Sequence, residues 1–471
     1  MTRALLLLLC CLAVLPAHAR LSGLGGNLPQ ATSQRDLAQI RKSGELRVLV
    51  NQSRNSSGEI KGQAIGIEYQ RLRAFEQYLN RTARDGRELR LKLIPKAKDQ
   101  LVAALQKGEG DLVAPGELLD AHPGLGISAS TAIRRDVPLV VVGNLRNRHY
   151  KRLADMSGRS LTLPMGSAVA DALREVNQQL AQQGKPPVVV EWADPSLAVE
   201  DVLEMVQAGI YPWTAVELPI AERWRKVMPR LRIERHLVVG AGGDMSWFVR
   251  RESPMLRASI DRFLEGYRTP GDQDSTLQRV YRRSYKVRNP LAQADRQRLE
   301  RVRAVLQKHG AQQNLDWLQL AAVAYKESTL NPAARGASGA TGLMQITPAA
   351  ARSVGVGNIH ALDNNVLAAT RYMAWIRREF FSSRQIAESE RMAFVLAAYN
   401  MGPQRVQGLR AEARRRGLNA NQWFFQVERV ALEQIGMGVV SYVNSVNKYY
   451  LAYDRERFLL EPRKQKLSVK D

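Results

Sequence analysis

Residues 321–347 read Ala-Ala-Val-Ala-Tyr-Lys-Glu-Ser-Thr-Leu-Asn-Pro-Ala-Ala-Arg-Gly-Ala-Ser-Gly-Ala-Thr-Gly-Leu-Met-Gln-Ile-Thr. The first third has the apolar content of a buried helix. Asn331-Pro332 stops it, because a proline pushes the preceding residue out of the helical region. Glu327 therefore sits at the end of an apolar helix. A carboxyl held against apolar walls loses hydration and keeps its proton near neutrality. That is the requirement for a general acid. Spacing alone leaves a second reading open, an idle glutamate near a helix end. Gly336, Gly339 and Gly342 supply backbone freedom for tight turns, serving either close ligand approach or a plain loop.

Outward from this stretch the chain stays helical in period. Leu299, Val302, Val305 and Leu306 share one face. Trp317, Leu320, Ala321 and Ala324 share the next, behind a cap expected at Asn314. Val366, Ala369, Tyr372, Met373 and Ile376 follow Asp363, and Met392, Val395, Leu396 and Tyr399 form a further face. An all-α domain is expected over 296–455, with a frayed charged tail over 456–471. Upstream, β-runs such as Leu46–Val50, Leu91–Ile94 and Val137–Val142 alternate with helical segments such as Ile67–Leu79. This predicts an α/β domain over 41–269 built on a mostly parallel sheet. The turn-forming stretch Thr269-Pro270-Gly271-Asp272 marks the break, with a linker over 270–295.

The chain has 471 residues, enough for two or three domains, with 45% apolar and 24% charged residues. Arg3, the apolar run from Leu5 to Leu15 and Ala17-His18-Ala19 read as an export signal over 1–19, followed by a tether over 20–40. A short membrane anchor is the alternative reading. Cys10 and Cys11 both fall in that signal, so the exported chain has no disulfide and no cysteine ligand. The formal charge of +24 favours an anionic partner or simply serves solubility. Export argues against nucleic acid and leaves cell-wall polymer or a membrane surface.

The six histidines are His18, His122, His149, His236, His309 and His360. None pairs with another at i, i+4, and no HExxH occurs, so neither a metal nor a cofactor is expected. Gly240-Ala241-Gly242-Gly243 precedes a strand-like run, not the helix N-terminus that a phosphate loop needs. No GxSxG elbow is present.

Residue identity carries further than spacing. Glu327-Ser328, Gly342-Leu343-Met344-Gln345, Ala398-Tyr399-Asn400 with Gly402, and Tyr442-Val443 occur in that order. This set resembles the lytic transglycosylase family of the soluble (SLT) type, a helical lysozyme-like fold, over residues 296–455. The resemblance implies that Glu327 protonates the oxygen linking N-acetylmuramic acid to N-acetylglucosamine. The same carboxylate then takes the proton of the muramoyl 6-hydroxyl as a 1,6-anhydro ring closes. It also implies that Ser328 holds the carboxyl or the N-acetyl group and that Met344 and Gln345 line the sugar cleft. Tyr399 and Asn400 would flank Glu327 from a facing helix, and Tyr442 would reach it from the last. The alternatives are core packing for Met344, Tyr399 and Tyr442, and backbone hydrogen bonding for Ser328, Gln345 and Asn400. One carboxylate suffices if an internal hydroxyl attacks, whereas hydrolytic glycosidases use two. Asp363 and Glu379 have no reason to lie in the cleft. The family often has glycine where this chain has Ala369.

Residues 41–269 resemble the extracellular solute-binding proteins of family 3. The matching pieces include Ser43-Gly44-Glu45-Leu46-Arg47-Val48, Leu105-Gln106-Lys107-Gly108 with Asp111-Leu112, and Leu153 to Gly158. This implies a two-lobed periplasmic-binding-protein-like domain, with Arg134 and Ser167 as candidate regulatory-ligand contacts. Glu217 stands at the usual lobe-two aspartate, which disfavours a free amino acid. Both domains in this order resemble the membrane-bound lytic murein transglycosylase F family. The implied partners are peptidoglycan glycan strands, with a muropeptide or other small ligand in the first domain. The implied place is the periplasm of a Gram-negative bacterium, with peripheral association with the outer membrane. Competing functions are a lysozyme-type muramidase, a peptidoglycan-sensing binding protein and a transport receptor.

Overall fold

A computed structural model describes residues 35–461, apart from 54–55, 57–58, 61–62, 65, 84–86, 120–124, 272 and 283–284. The expected export signal, most of the tether and the end of the charged tail lie outside the described residues.

The tether expected over 20–40 gives way to regular structure at Asp36. The Asp36 carboxylate accepts the Leu37 amide and caps the helix Leu37–Ser43, which ends on Gly44 in the left-handed region at φ 69°. The strand Glu45–Asn51 follows and becomes an inner strand of a five-stranded sheet. It runs parallel to Arg90–Lys96 on one side and to Leu112–Ala114 on the other. Phe248–Arg250 then pairs antiparallel with both Leu112–Ala114 and Ile127–Ala129. A second lobe holds an all-antiparallel sheet in the order Trp213–Glu217, Leu139–Asn144, Leu231–Val238. A parallel pair, Ser160–Leu163 with Val189–Trp192, lies in the same lobe. The expectation of a mostly parallel sheet is therefore corrected. The chain crosses to the second lobe and returns, and the returning strand Phe248–Arg250 enters the first sheet antiparallel.

The 270–295 segment is no free linker. It carries the helix Gln273–Tyr281, and the fully buried Tyr281 ring packs 5.1 Å from that of Trp224 in the second lobe. One apolar core runs from Val140 and Trp224 of the second lobe through Tyr281 and Tyr285 into the helical half. The helix Gln293–Gln313 then opens the helical half. Asn314 is the left-handed end of this helix, not the cap of the next. The cap is Asp316, whose carboxylate accepts the Leu318 amide at 2.9 Å and also receives Tyr450 Oη and Arg457. The described start of the segment expected to fray, 456–461, carries a short helix, Arg457–Leu460, with Leu460 buried. No helix among the described residues is long and apolar enough to cross a membrane.

Candidate active site

The helix Trp317–Ser328 buries every residue from Leu320 to Tyr325. Three of them are alanines, so another helix backbone approaches closely, and the neighbour is the last long helix, Met437–Arg455. The Trp317–Ser328 helix ends three residues before Asn331, because Thr329 and Leu330 both turn left-handed at φ 54° and 59°. Two such residues in succession are strained for side chains bearing a Cβ. Leu330, nearly fully buried, anchors the turn. Glu327 is thereby fixed in the last turn, half-buried.

Tyr442, buried on Met437–Arg455, donates its hydroxyl to Glu327 Oε1 at 2.7 Å. Burial pushes the Glu327 carboxyl above the ordinary range, while the Tyr442 hydrogen bond and the Lys326 charge pull it partly back. The groups that act on its charge are thus a phenol and an ammonium, and neither is a carboxylate. Burial and the Glu327 charge push Tyr442 well above the usual phenol range, so it remains a donor. Burial pushes Lys326 down, against the pull of Glu327 and Glu204. Its Nζ donates to Ser445 Oγ at 3.4 Å.

The loop beside this acid is built from its own polar groups. Tyr399 donates to the Met344 carbonyl at 2.9 Å, and burial with the nearby Glu327 charge drives its hydroxyl well above the usual range. The Met344 side chain is fully buried, so the expected role in lining a sugar cleft is corrected: its backbone, not its thioether, serves the site. Ser328 is corrected likewise. Its hydroxyl donates toward the Ala324 and Leu343 carbonyls and accepts the Asn331 amide, the bonding of a helix-end serine that ties the loop to the helix. Gln345, at φ 49°, spends its amide on the Ala334 and Gly342 carbonyls. Gly336 permits this, since a Cβ there would lie 2.1 Å from Gln345 Oε1. Asn400 is exposed at the end of the helix Glu388–Met401.

One residue that supports the loop escaped the sequence reading. Asn365, fully buried on the helix Leu362–Phe380, accepts the Met344 amide at 2.9 Å and donates to the Thr341 and Ile359 carbonyls. Gly342, at φ 78°, leaves the space, since its Cβ would fall 2.3 Å from Asn365 Nδ2. The available signal was an asparagine beside Val366 on an otherwise apolar face. Asp363 sits apart, held below the usual carboxylate range by hydrogen bonds from Lys308 and His309. Glu379 is exposed. Ala369 is fully buried.

In the α/β half, Glu217 meets lobe one. Its Oε1 accepts the Leu118 amide at 2.8 Å and lies 3.7 Å from Lys98 Nζ, which pairs with Glu117 at 3.0 Å. Asn51 donates to the other oxygen of Glu117 at 2.7 Å. All four side chains are buried. Arg134 is elsewhere, exposed on the strand Arg134–Val137 and lining a cavity with Glu68, Arg71, Met245 and Tyr267. Ser167 lies in the turn before the helix Val169–Gln182, its hydroxyl accepting the Val169 amide.

Residues 304–423 match the Transglycosylase SLT domain. The chain is 28% identical over 396 residues to membrane-bound lytic murein transglycosylase F of Ectopseudomonas mendocina, covering 82% of this chain and 77% of that protein. It is 26% identical over 409 residues to the protein of that name from Desulfosudis oleivorans, covering 83% of each. It is 27% identical over 437 residues to that of Shewanella pealeana, covering 86% of this chain and 84% of the relative. Among solved structures, an arginine-bound amino acid ABC transporter substrate-binding protein from Streptococcus pneumoniae aligns over 52% of this chain and 97% of its own, with 16% identity and a TM-score of 0.39. The chain, a two-lobed α/β half followed by a helical half that carries the SLT match, is thus similar over 82–86% of its length to proteins named membrane-bound lytic murein transglycosylase F.

Proposed function

We propose that this protein is a peptidoglycan lytic transglycosylase, a carbon–oxygen lyase, with Glu327 as its acid and base. The observation that supports this reading is the half-buried Glu327 carboxyl, raised above its ordinary range and bonded to the Tyr442 phenol, with no carboxylate among the described residues acting on its charge. An acid so raised holds its proton to higher pH than an ordinary carboxyl. It protonates the bridging oxygen of the bond between N-acetylmuramic acid and N-acetylglucosamine, and the C1–O bond breaks. The muramoyl 6-hydroxyl then attacks C1 and returns a proton to Glu327, so no water is consumed. An internal hydroxyl acts at high effective concentration, which removes the need for a second carboxylate to activate water. Tyr442 holds the carboxyl in place, and Asn365, Gln345 and Ser328 hold the adjoining loop.

Residues 41–269 would serve as a regulatory half for a muropeptide or other small ligand. The buried pairing of Lys98 with Glu117 and Glu217 argues against a free amino acid there, because both kinds of charge it would need are already matched. The relatives' printed names support a location in the cell envelope, and peripheral association with the outer membrane is part of the proposal. Digestion of purified sacculi followed by mass analysis tests the reading. Products bearing 1,6-anhydromuramoyl ends are expected, and reducing ends carrying the mass of water would instead mark a muramidase.

A further inference from the structure

The second lobe carries a cluster that the catalytic reading leaves unused. The strand Leu231–Val238 lies at the edge of its sheet, and residues two apart on a strand share a face. Arg232, Glu234 and His236 therefore project together, next to a register shift between Glu234 and Val238. Arg232 donates to the Leu145 and Arg148 carbonyls, which draws the following loop over the strand and brings in His149. One donor atom from each of His149, Glu234 and His236 lies within 4.8 Å of the other two.

We infer that His149, Glu234 and His236 form a binding site for a divalent transition-metal ion. Three features carry this. First, the Glu234 carboxylate is buried and faces both imidazoles. Its Oε1 takes Arg232 Nε at 2.5 Å, His149 Nδ1 lies 3.4 Å from Oε1 and 3.3 Å from Oε2, and His236 Nδ1 lies 4.0 Å from Oε2. Second, His236 Nε2 lies 2.8 Å from the Tyr150 carbonyl. A carbonyl only accepts, so Nε2 donates to it, and Nδ1 is the ring nitrogen turned toward Glu234. A backbone carbonyl orienting the distal nitrogen is the usual arrangement behind a metal-bound histidine. Third, the spacing fits. Donors bound tetrahedrally at about 2.1 Å lie about 3.4 Å from one another. His149 Nδ1 is 3.3 Å from Glu234 Oε2. His236 Nδ1 is 4.0 Å from it, and that side chain is 44% exposed and free to close the difference.

The donor set selects the ion. Arg232 already matches the carboxylate charge, which leaves little attraction for calcium or magnesium, ions that seek several oxygens. Two imidazoles with one carboxylate oxygen suit zinc, nickel, cobalt or copper, and a three-donor site leaves a further position open. A bound ion would staple the loop before Tyr150 to the edge strand.

The test is calorimetric titration of the metal-stripped full chain with zinc chloride, with magnesium chloride as the control. One zinc per chain is expected, with no comparable magnesium binding. His149→Ala and His236→Ala should each weaken zinc at least about ten-fold, and the double variant should lose the site. Both side chains are substantially exposed, so the variants are expected to fold. The zinc-dependent rise in the thermal midpoint should vanish in the double variant. Absence of zinc uptake by the native chain overturns the assignment, and so does unchanged affinity in the double variant. The latter would leave the cluster as a histidine–carboxylate contact only.

Discussion

Two desolvated acidic sites of this protein differ in what surrounds them. In the helical half, Glu327 meets the Tyr442 phenol, and among the described residues the charge acting on it is that of the neighbouring Lys326. Between the lobes of the α/β half, Glu117 and Glu217 share the Lys98 ammonium, with Asn51 and the Leu118 amide taking further lone pairs. Burial works against the Lys98 charge, and the two glutamates more than restore it, holding the ammonium above its ordinary range. A carboxyl desolvated beside a phenol is pushed toward its protonated form. Carboxylates desolvated around an ammonium become a clasp between lobes. Burial raises Glu117 as it raises Glu327, so the two sites differ in the charge and geometry of their partners.

Removing the acid should give the largest effect. Glu327→Gln is expected to lower anhydromuropeptide release about 10³-fold, within the range for general acid–base groups. A residual rate within about ten-fold of the native one would assign the proton transfer elsewhere. The raised carboxyl also has a thermodynamic sign. Its contribution to stability is present below the unfolded value and lost as pH rises through the folded one. Native protein should therefore lose stability relative to Glu327→Gln as pH climbs through that window. Paired thermal melts across pH read this directly.

Breaking the clasp should act on stability and not on chemistry. Lys98→Met leaves two buried carboxylates without their ammonium, which costs about 3–5 kcal/mol. Urea unfolding would measure it. A loss below about 1 kcal/mol would show that the lobes do not depend on this charge set.

Tyr442→Phe sharpens the comparison at the acid itself. The phenol hydrogen bond favours the ionised carboxylate, so its removal raises Glu327 further. The protonated fraction then persists to higher pH, and the alkaline limb of the pH–rate profile should move upward while the maximal rate falls. A limb moving downward would contradict the hydrogen bond's role. Asn365→Ala should have the smallest effect, about 1–3 kcal/mol for leaving the Met344 amide and the Thr341 and Ile359 carbonyls unmatched. Hydrogen exchange at 341–345 should accelerate more than at the helix Trp317–Ser328. Uniform acceleration would make Asn365 a general core residue and not a loop clamp.

Much of the helical half was legible. Apolar periodicity marks Trp317 to Tyr325, and Pro332 marks its end within a few residues. The cap was misplaced because Asn314 and Asp316 are both cap formers, and only the αL turn at Asn314 separates their roles. The strand directions of the α/β half were illegible, since alternation gives no sign of where a returning strand inserts. Ser328 and Met344 were misread in role, because a motif carries residue identity but not which atoms face inward.

By itself the sequence determined the alternating and helical halves, the ordered motifs and the identity of the candidate acid. Local periodicity and side-chain type suffice for those. Tertiary structure decided what the acid is, since its proton affinity depends on desolvation and on Tyr442, 115 positions away. It likewise decided that Glu217 is clasped by Lys98 and that His149 meets Glu234, 85 positions on. Electrostatic energies depend on distance in space and on excluded water, and neither is written along the chain.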